Sequence, residues 1–181
     1  MARILIVGGG CPGRRLARRL VADGHAVRIT TRTEAGRAAI EEAGAECWIG
    51  TPDRLATLRG SLDRVAIACW MLAGAHGDPE QVAALHASRL EFFLTQAIDT
   101  TVRGVIYDAT PGRMPEEALV AGERSFRSLT ELNAIPAVVL RAGGDGGHGE
   151  GGGDGGHGDG DGDGDAWVAE AEGAVRSLLG G

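Results

Sequence analysis

The stretch that decides the fold runs from Arg3 to Leu20 and reads RILIVGGGCPGRRLARRL. Residues 4–7 are consecutive aliphatic residues, a pattern typical of a strand that is buried on both faces of a parallel sheet. Residues 8–13 then interrupt this run with glycines, after which Leu16 and Leu20 recur at helical spacing. A strand, a glycine-rich turn and a helix in this order predict the opening of a βαβ unit.

The rest of the chain continues the alternation of strand-like and helix-like segments. Further strands are predicted at residues 26–30, 46–49, 65–71, 102–107 and 136–140. Helices are predicted at residues 33–44, from residue 51 onward, and at residues 78–100, 115–133 and 166–179, the last with Asp165 as its cap. This pattern indicates the α/β class: a three-layer, doubly wound parallel sheet of six strands in the Rossmann-like order 3-2-1-4-5-6. Ligands of such sheets bind at the carboxyl ends of the strands, where the strand order reverses.

Three segments follow from the composition along the chain. Residues 1–142 are predicted to form one Rossmann-like domain, and residues 166–181 a C-terminal helix that packs back on it. Residues 143–165 contain the near-repeat GGDGGHGEG and GGDGGHGDG without any apolar side chain, so we expect a disordered linker. No metal site is predicted, although weak binding of a divalent cation by His148 and His157 stays open as an alternative.

The charges exclude several classes of function. All 18 basic residues are arginines, so mechanisms that need a lysine ammonium, such as a Schiff base or a P-loop, are excluded. The net charge of −7 arises from the seven acids of residues 143–165, and the remaining chain has 18 acids against 18 arginines. A neutral folded part argues against a nucleic-acid interface.

The three cysteines and the absence of long apolar runs indicate the compartment. An odd number of cysteines without paired spacing is typical of reduced thiols. The aliphatic run near the N-terminus is too short for a secretory signal, and no run approaches the ~18 residues of a membrane span. We therefore expect a cytoplasmic protein without a membrane partner, and the arginine-, alanine- and glycine-rich composition favours a bacterial source.

The hexapeptide GGGCPG fits the pattern G-x-G-x-x-G in the context of a strand, a turn and a helix. Gly8 would permit the tight turn, Gly10 the approach of a pyrophosphate, and Gly13 close packing of the helix on the strand. Cys11 and Pro12 complete the predicted phosphate-binding loop, whose free backbone N–H groups favour an anion. The alternative is a glycine turn that only packs the helix against the strand.

The end of the second strand indicates which dinucleotide would bind. Sites selective for NAD usually place an acidic residue there, whereas this chain has Thr31 and Arg32. Arg32 would pair with the 2′-phosphate of NADP, so NADP is the expected cofactor and NAD the alternative. Arg14 opposes the helix dipole in the first helical turn, which a nearby phosphate would explain. Both arginines would otherwise be solvated surface charges.

These features resemble the atypical short-chain dehydrogenase/reductase proteins, including NmrA-like and epimerase-like members. The resemblance rests on the GGGCPG turn with its RRLARRL helix, on Thr31 and Arg32, and on the segment NAIPAVVLR, and it covers residues 3–142. It implies a Rossmann fold that binds NAD(P). It also implies cofactor contacts from Trp70 after the fourth strand and from Thr110, which would stand near the family's serine after the fifth strand.

The departures from the family leave the activity open. Its acid–base pair is a Tyr-x-x-x-Lys motif, and the helix at residues 115–133 contains neither residue type. Small atypical relatives reduce flavins or biliverdin mainly by positioning NADPH, so the first hypothesis is an NADP-dependent reductase of a small reducible substrate. The second is a non-catalytic NAD(P)-binding regulator or pseudoenzyme, and the third is an interaction protein with an empty glycine loop. The apolar residues of the helix at 78–100 would form either core or a homodimer face.

Overall fold

The structure is a computed structural model that describes residues 1–8, 10–111, 115–141 and 161–180. Its strands are β1 (Arg3–Gly8), β2 (Ala26–Thr31), β3 (Glu46–Ile49), β4 (Ile67–Met71), β5 (Gly104–Asp108) and β6 (Ala137–Leu140). They form one parallel sheet in the order β3-β2-β1-β4-β5-β6. This confirms the predicted doubly wound, Rossmann-like fold.

Helices cover both faces of the sheet. They are α1 (Gly10–Ala22), α2 (Arg37–Glu42), α3 (Pro79–Leu85), α4 (Ser88–Ile98), α5 (Glu116–Leu132) and α6 (Asp161–Gly180). On one face, α1, α2 and α6 bury residues such as Leu16, Ile40 and Val168 against β1, β2 and β4. On the other, α3, α4 and α5 contribute Leu85, Phe93 and Phe126. Each such side chain contributes about 1.5–3 kcal/mol by leaving water, so both faces stabilise the sheet.

The helix predicted at residues 78–100 is interrupted. Asp78 caps its start as expected, since its carboxylate accepts hydrogen bonds from two backbone N–H groups of the first turn at 3.0 and 3.1 Å. The chain then breaks between α3 and α4 at His86 and Ala87. The break turns the His86 ring into the core, where Nδ1 lies 2.7 Å from Tyr107 Oη. Gly122 of α5 packs directly on both residues.

Two other helix predictions were wrong. Residues 51–62 form an isolated bridge and two short 3-10 turns, because Thr51 and Thr57 hydrogen-bond to nearby backbone groups that a helix would use. The last helix begins at Asp161, so Asp165 lies inside α6 instead of capping it. The predicted linker at residues 143–165 otherwise lies outside the described residues, as do the two histidines considered for a metal.

The apolar residues of α3 and α4 are mostly core. Leu85, Leu90, Phe93 and Leu94 are buried, and only Phe92 is exposed, at 49%. This face therefore offers little apolar area for the homodimer that was considered from the sequence. No helix in the described ranges is long and apolar enough to cross a bilayer.

Candidate functional site

The sheet reverses its order between β1 and β4, whose carboxyl ends lie side by side with Gly8 opposite Met71. Gly8 adopts a φ of +84°, and a Cβ atom there would lie 2.7 Å from the carbonyl oxygen of Met71. Only glycine fits both the left-handed backbone and this close approach. Helix α1 begins at Gly10.

Gly10 and Gly13 then serve different purposes at the start of α1. Gly10 has a φ of +50° and is exposed, and nothing lies within 4 Å of the position of a Cβ atom, so its backbone faces open space. Gly13 is buried, and a Cβ atom there would lie 3.3 Å from the carbonyl oxygen of Gly8. The turn thus leaves the helix N-terminus accessible while the helix itself packs closely on β1.

The end of β2 is fastened to the glycine turn. Thr30 is buried, and its Oγ1 accepts a hydrogen bond from the backbone N–H of Gly8 at 3.3 Å. Sequence reasoning did not assign this role to Thr30, although its place at the end of a strand beside the switch point was the available signal. The Thr31 hydroxyl donates to the carbonyl of Thr33 at 3.3 Å, so it shapes the following turn.

A crevice of about 220 Å³ lies at this edge of the sheet. Its lining consists of Gly8, Gly10, Arg14, Ile29, Thr30, Thr31, Arg32, Gly36, Ile40, Gly50, Pro52, Leu72 and Leu85. Among the described residues, this lining contains two guanidinium groups and no carboxylate. Ligand pockets commonly measure about 300–1,000 Å³, so the crevice is smaller than a typical ligand pocket.

The two arginines of the crevice differ from most of their neighbours in lacking an acidic partner. Within the described ranges, no carboxylate oxygen lies within 4.0 Å of Arg14 or Arg32. Arg14 instead points Nη2 at Sγ of the exposed Cys11, 3.0 Å away. By contrast, Arg37 nearby holds Glu34 at 2.6 Å and Glu41 at 3.2 Å. The crevice therefore carries positive charge that no carboxylate of the described residues neutralises.

Part of the lining is apolar. Ile40, Pro52, Leu72 and Leu85 form this part, from the segments that follow β2, β3 and β4. Such side chains contact the faces of a flat ring system and exclude water from it. The lining thus combines cationic and apolar side chains.

The structure brings together five of the predicted site residues along the crevice: Gly8, Gly10, Arg14, Thr31 and Arg32. Cys11, Pro12 and Gly13 lie in the adjoining first turn of α1. Gly9 and residues 112–114 lie outside the described residues.

Trp70 is not at this crevice. Its side chain is 1% exposed within β4, its Nε1 donates to the carbonyl of Leu85 at 3.0 Å, and its ring packs on Phe93 at 4.8 Å. Side chains alternate along a strand, and Trp70 points to the face that α3 and α4 cover. It therefore acts on the crevice only by supporting Leu85, which does line it.

Thr110 follows β5 at the same edge of the sheet and is half-buried, without lining the crevice. Its backbone N–H donates to Oδ1 of Asp108 at 3.1 Å. Burial raises the pKa of the Asp108 carboxyl, and hydrogen bonds from Thr110 and Trp167 oppose that change. The carboxylate therefore serves mainly to hold the segment after β5.

The only tyrosine of the chain is in the core. Tyr107 is fully buried, stacks on Phe126 at 5.4 Å and shares the short hydrogen bond with His86. Burial raises the pKa of Tyr107, and the charges of Asp108 and Glu123 raise it further. Burial also lowers the pKa of His86. Both groups are thus neutral around pH 7 and enclosed by apolar side chains.

No family model matches the sequence. No curated protein matches it either. Solved structures do match in fold, including UDP-glucose 4-epimerase from Thermotoga maritima with UDP-glucose. That match has 17% identity, covers 77% of this chain and 54% of the epimerase, and has a TM-score of 0.63.

Two further matches have similar extents. A short-chain dehydrogenase/reductase superfamily protein from Agrobacterium tumefaciens with bound NAD shares 19% identity over 77% of this chain and 48% of its own, with a TM-score of 0.61. Triphenylmethane reductase from Citrobacter sp., complexed with NADP(H), shares 18% over 77% and 48%, with a TM-score of 0.59. The chain thus spans about half the length of these proteins, and the likeness establishes the fold.

Proposed function

We propose that this chain binds a nicotinamide dinucleotide, with NADP preferred over NAD, and works as a small cytoplasmic NADP-dependent reductase of the atypical short-chain type. The observation that carries the proposal is the pair of guanidinium groups, Arg14 and Arg32, that line the switch-point crevice without a carboxylate partner among the described residues. Their positions suit two different anionic groups of one ligand.

The phosphate loop supplies the first anion site. Gly10 leaves the start of α1 open, and the first turn of this 13-residue helix presents free N–H groups and the positive end of its dipole. Arg14, one turn further on, adds a full positive charge. A pyrophosphate fits this arrangement because it carries negative charge and accepts several hydrogen bonds at once.

The end of β2 supplies the second anion site. Arg32 is exposed and directly follows Thr31, where a ribose would lie if its phosphate sits on the glycine turn. The nearest acids in sequence, Glu34 and Glu41, are paired with Arg37. Among the described residues, no unpaired carboxylate at the end of β2 therefore repels a 2′-phosphate or accepts from a 2′-hydroxyl. This supports NADP over NAD.

The reduced cofactor, when bound, supplies the hydride. The chain's own residues therefore need only bind and orient the cofactor and exclude water from it. The glycine turn and the two arginines would bind the cofactor, Leu72 lines the crevice directly after β4, and Thr110 would adjoin the cofactor from the segment after β5, which its backbone N–H ties to Asp108. The substrate class that suits such a site is a small ring system that accepts a hydride and takes its proton from water. The neighbours named above include one protein with NAD and one with NADP(H), which supports this class of cofactor.

A second candidate function is a non-catalytic NAD(P)-binding regulator, favoured by the surroundings of Tyr107. That phenol is enclosed in the core and bonded to His86, so it does not face the crevice. A sequence without lysine also offers no ammonium to activate it. A protein of this kind would bind the dinucleotide and signal its redox state without turnover.

One experiment separates the candidates. Purified protein is titrated with NADPH, NADH and NADP⁺ by calorimetry and is then mixed with NADPH and flavin or quinone acceptors. Binding with oxidation of NADPH supports the reductase, and binding without oxidation supports the regulator. If none of the three nucleotides binds, the dinucleotide site itself is refuted.

A further inference from the structure

Thr30 links the two neighbouring strands that carry the proposed anion sites. The register pairs β1 with β2 as far as Ile6 and Ile29. One residue further along β2, the side chain of Thr30 continues this connection, because its Oγ1 accepts the backbone N–H of Gly8 at 3.3 Å. Thr30 is 7% exposed and also lines the crevice. A side chain at the crevice itself therefore joins the glycine turn to the end of β2.

On one side, the link continues into the phosphate loop. A Cβ atom at Gly13 would lie 3.3 Å from the carbonyl oxygen of Gly8, so the first turn of α1 packs directly on the residue that Thr30 holds. Arg14 is the next residue of α1 and lines the crevice. A displacement of Gly8 therefore shifts the free N–H groups of α1 and the base of the Arg14 side chain together.

On the other side, the link continues to Arg32. Thr31 follows Thr30 directly, and its hydroxyl donates to the carbonyl of Thr33 at 3.3 Å. Gly36 packs against the same hydroxyl, so closely that a Cβ atom there would overlap it. These contacts hold the backbone of the turn that contains Arg32. The Thr30 hydroxyl therefore helps to set where the Arg32 side chain starts relative to the glycine turn.

We propose that Thr30 is a positioning residue for the dinucleotide: its hydroxyl sets the spacing between the glycine turn and Arg32, so that one nucleotide with two separate phosphate groups reaches both anion sites. The proposal rests on the proposed function, because it concerns how the two sites act on one ligand. When two sites bind parts of one molecule, the affinity depends on whether their spacing matches that of the ligand. A ligand that uses only one site does not respond to the spacing.

Adenosine phosphates separate the spacing from the strength of each site. Adenosine 2′,5′-bisphosphate carries both phosphate groups, whereas the 5′-monophosphate suits only the glycine turn and the 2′-monophosphate only Arg32. Dissociation constants of the three nucleotides are measured by chemical-shift titration of the isotope-labelled protein. In the wild type, the bisphosphate should bind at least about tenfold more tightly than either monophosphate. Equal affinities for the bisphosphate and the 5′-monophosphate overturn the proposal. If neither these nucleotides nor NADPH bind, the proposed function itself fails, and this proposal fails with it.

Thr30→Val keeps the branched shape of the side chain and removes the acceptor for the N–H of Gly8. The variant should bind the bisphosphate about 3–10-fold more weakly, because one hydrogen bond is lost and a backbone donor loses its acceptor. Both monophosphates should stay within about twofold of the wild type, and Thr30→Ser, which retains the hydroxyl, should do so for all three nucleotides. An unchanged bisphosphate affinity in Thr30→Val, or equal losses for all three nucleotides, overturns the positioning role.

Thr130→Val is the matched control. Thr130 is 3% exposed and its hydroxyl donates to the carbonyl of Phe126 at 2.9 Å within α5, so the same change removes a buried hydroxyl that does not line the crevice. The ratio of bisphosphate to monophosphate affinity should stay at the wild-type value. A ratio that falls equally in both variants would assign the effect to lost stability and overturn the proposal. Unfolding in urea establishes that each variant is folded, and Thr30→Ala, which removes the same oxygen, replaces Thr30→Val if the latter does not fold.

Discussion

Replacing Arg32 by alanine should convert an NADP-selective site into one that hardly distinguishes the two dinucleotides. Arg32 is exposed and has no carboxylate partner among the described residues, so its removal leaves no buried group unsatisfied and should not change the free energy of unfolding. A hydrogen bond to a charged group contributes about 1.5–3 kcal/mol, and solvent exposure reduces this toward the ~1 kcal/mol of surface ion pairs. We therefore expect a loss of about 1–2 kcal/mol, or roughly 5–30-fold in Kd.

The assay compares the affinities of NADPH and NADH for the wild type and the variant by calorimetry at two ionic strengths. Arg32→Ala should weaken NADPH by the stated factor and leave NADH within about twofold. Added salt should reduce the NADPH preference of the wild type, because the Debye length falls from about 10 Å at 0.1 M to about 3 Å at 1 M. The selectivity of the variant should not respond to salt.

Arg37→Ala is the matched control. Arg37 lies five residues further along the chain, but its guanidinium already holds Glu34 and Glu41, so it contributes no free charge to the crevice. Its removal should leave the preference for NADPH unchanged or slightly lower, because two carboxylates are released nearby. Equal losses of NADPH and NADH affinity in Arg32→Ala would refute the assignment of Arg32 to the 2′-phosphate.

Three further predictions concern stability, measured as the free energy of unfolding in urea. Gly8→Ala should destabilise the fold by about 2–4 kcal/mol, because it combines left-handed backbone strain with overpacking against the carbonyl oxygen of Met71 in the neighbouring strand β4. Burial lowers the folded-state pKa of His86, so the unfolded chain binds that proton more readily. The stability from the neutral imidazole is present above the unfolded-state pKa of about 6.5 and is lost as the pH falls through the folded-state value. Phe126→Ala should remove about 3–5 kcal/mol by opening a cavity under α5.

Each of these has its own comparison. Gly24 has nearly the same φ, +83°, but nothing lies within 4 Å of the position of a Cβ atom there. Gly24→Ala should therefore lower the free energy of unfolding by only about 1–2 kcal/mol. Equal losses in the two variants would contradict the steric argument at Gly8. His86→Gln should make the free energy of unfolding less dependent on pH between pH 7 and pH 5. An unchanged dependence would mean that other groups cause it. Phe92→Ala, at a half-exposed position, should change stability by under about 1 kcal/mol.

Much of the fold was predictable because the signals are local. Continuous aliphatic runs such as residues 4–7 need burial on both faces, and the glycines after them end the strand. The six strands and their order followed from this alternation and from the handedness of the crossovers. The predictions failed where side chains compete with the backbone, as at Thr51 and Thr57, or where a helix breaks to bury His86.

The candidate site was predictable in part. The glycine turn and Arg14 follow β1, and Arg32 follows β2. The strand order makes β1 and β2 neighbours, so it places these residues at the same edge of the sheet. Trp70 was assigned to the cofactor from its place at a strand end, yet the alternation of side chains turns it into the core. The hydrogen bond between Thr30 and Gly8 was missed because the two residues lie 22 positions apart in sequence.

The sequence by itself determined that this protein is a doubly wound α/β domain with an open glycine turn at its first strand, since hydrophobic period and backbone freedom are properties of short segments. Only the tertiary structure decided which charges are available. Arg32 has no carboxylate partner among the described residues, whereas Arg37 is paired with Glu34 and Glu41, and Asp53 is paired with an arginine from α4. The physical reason is that ion pairing depends on distances of a few ångströms between side chains, and folding sets those distances.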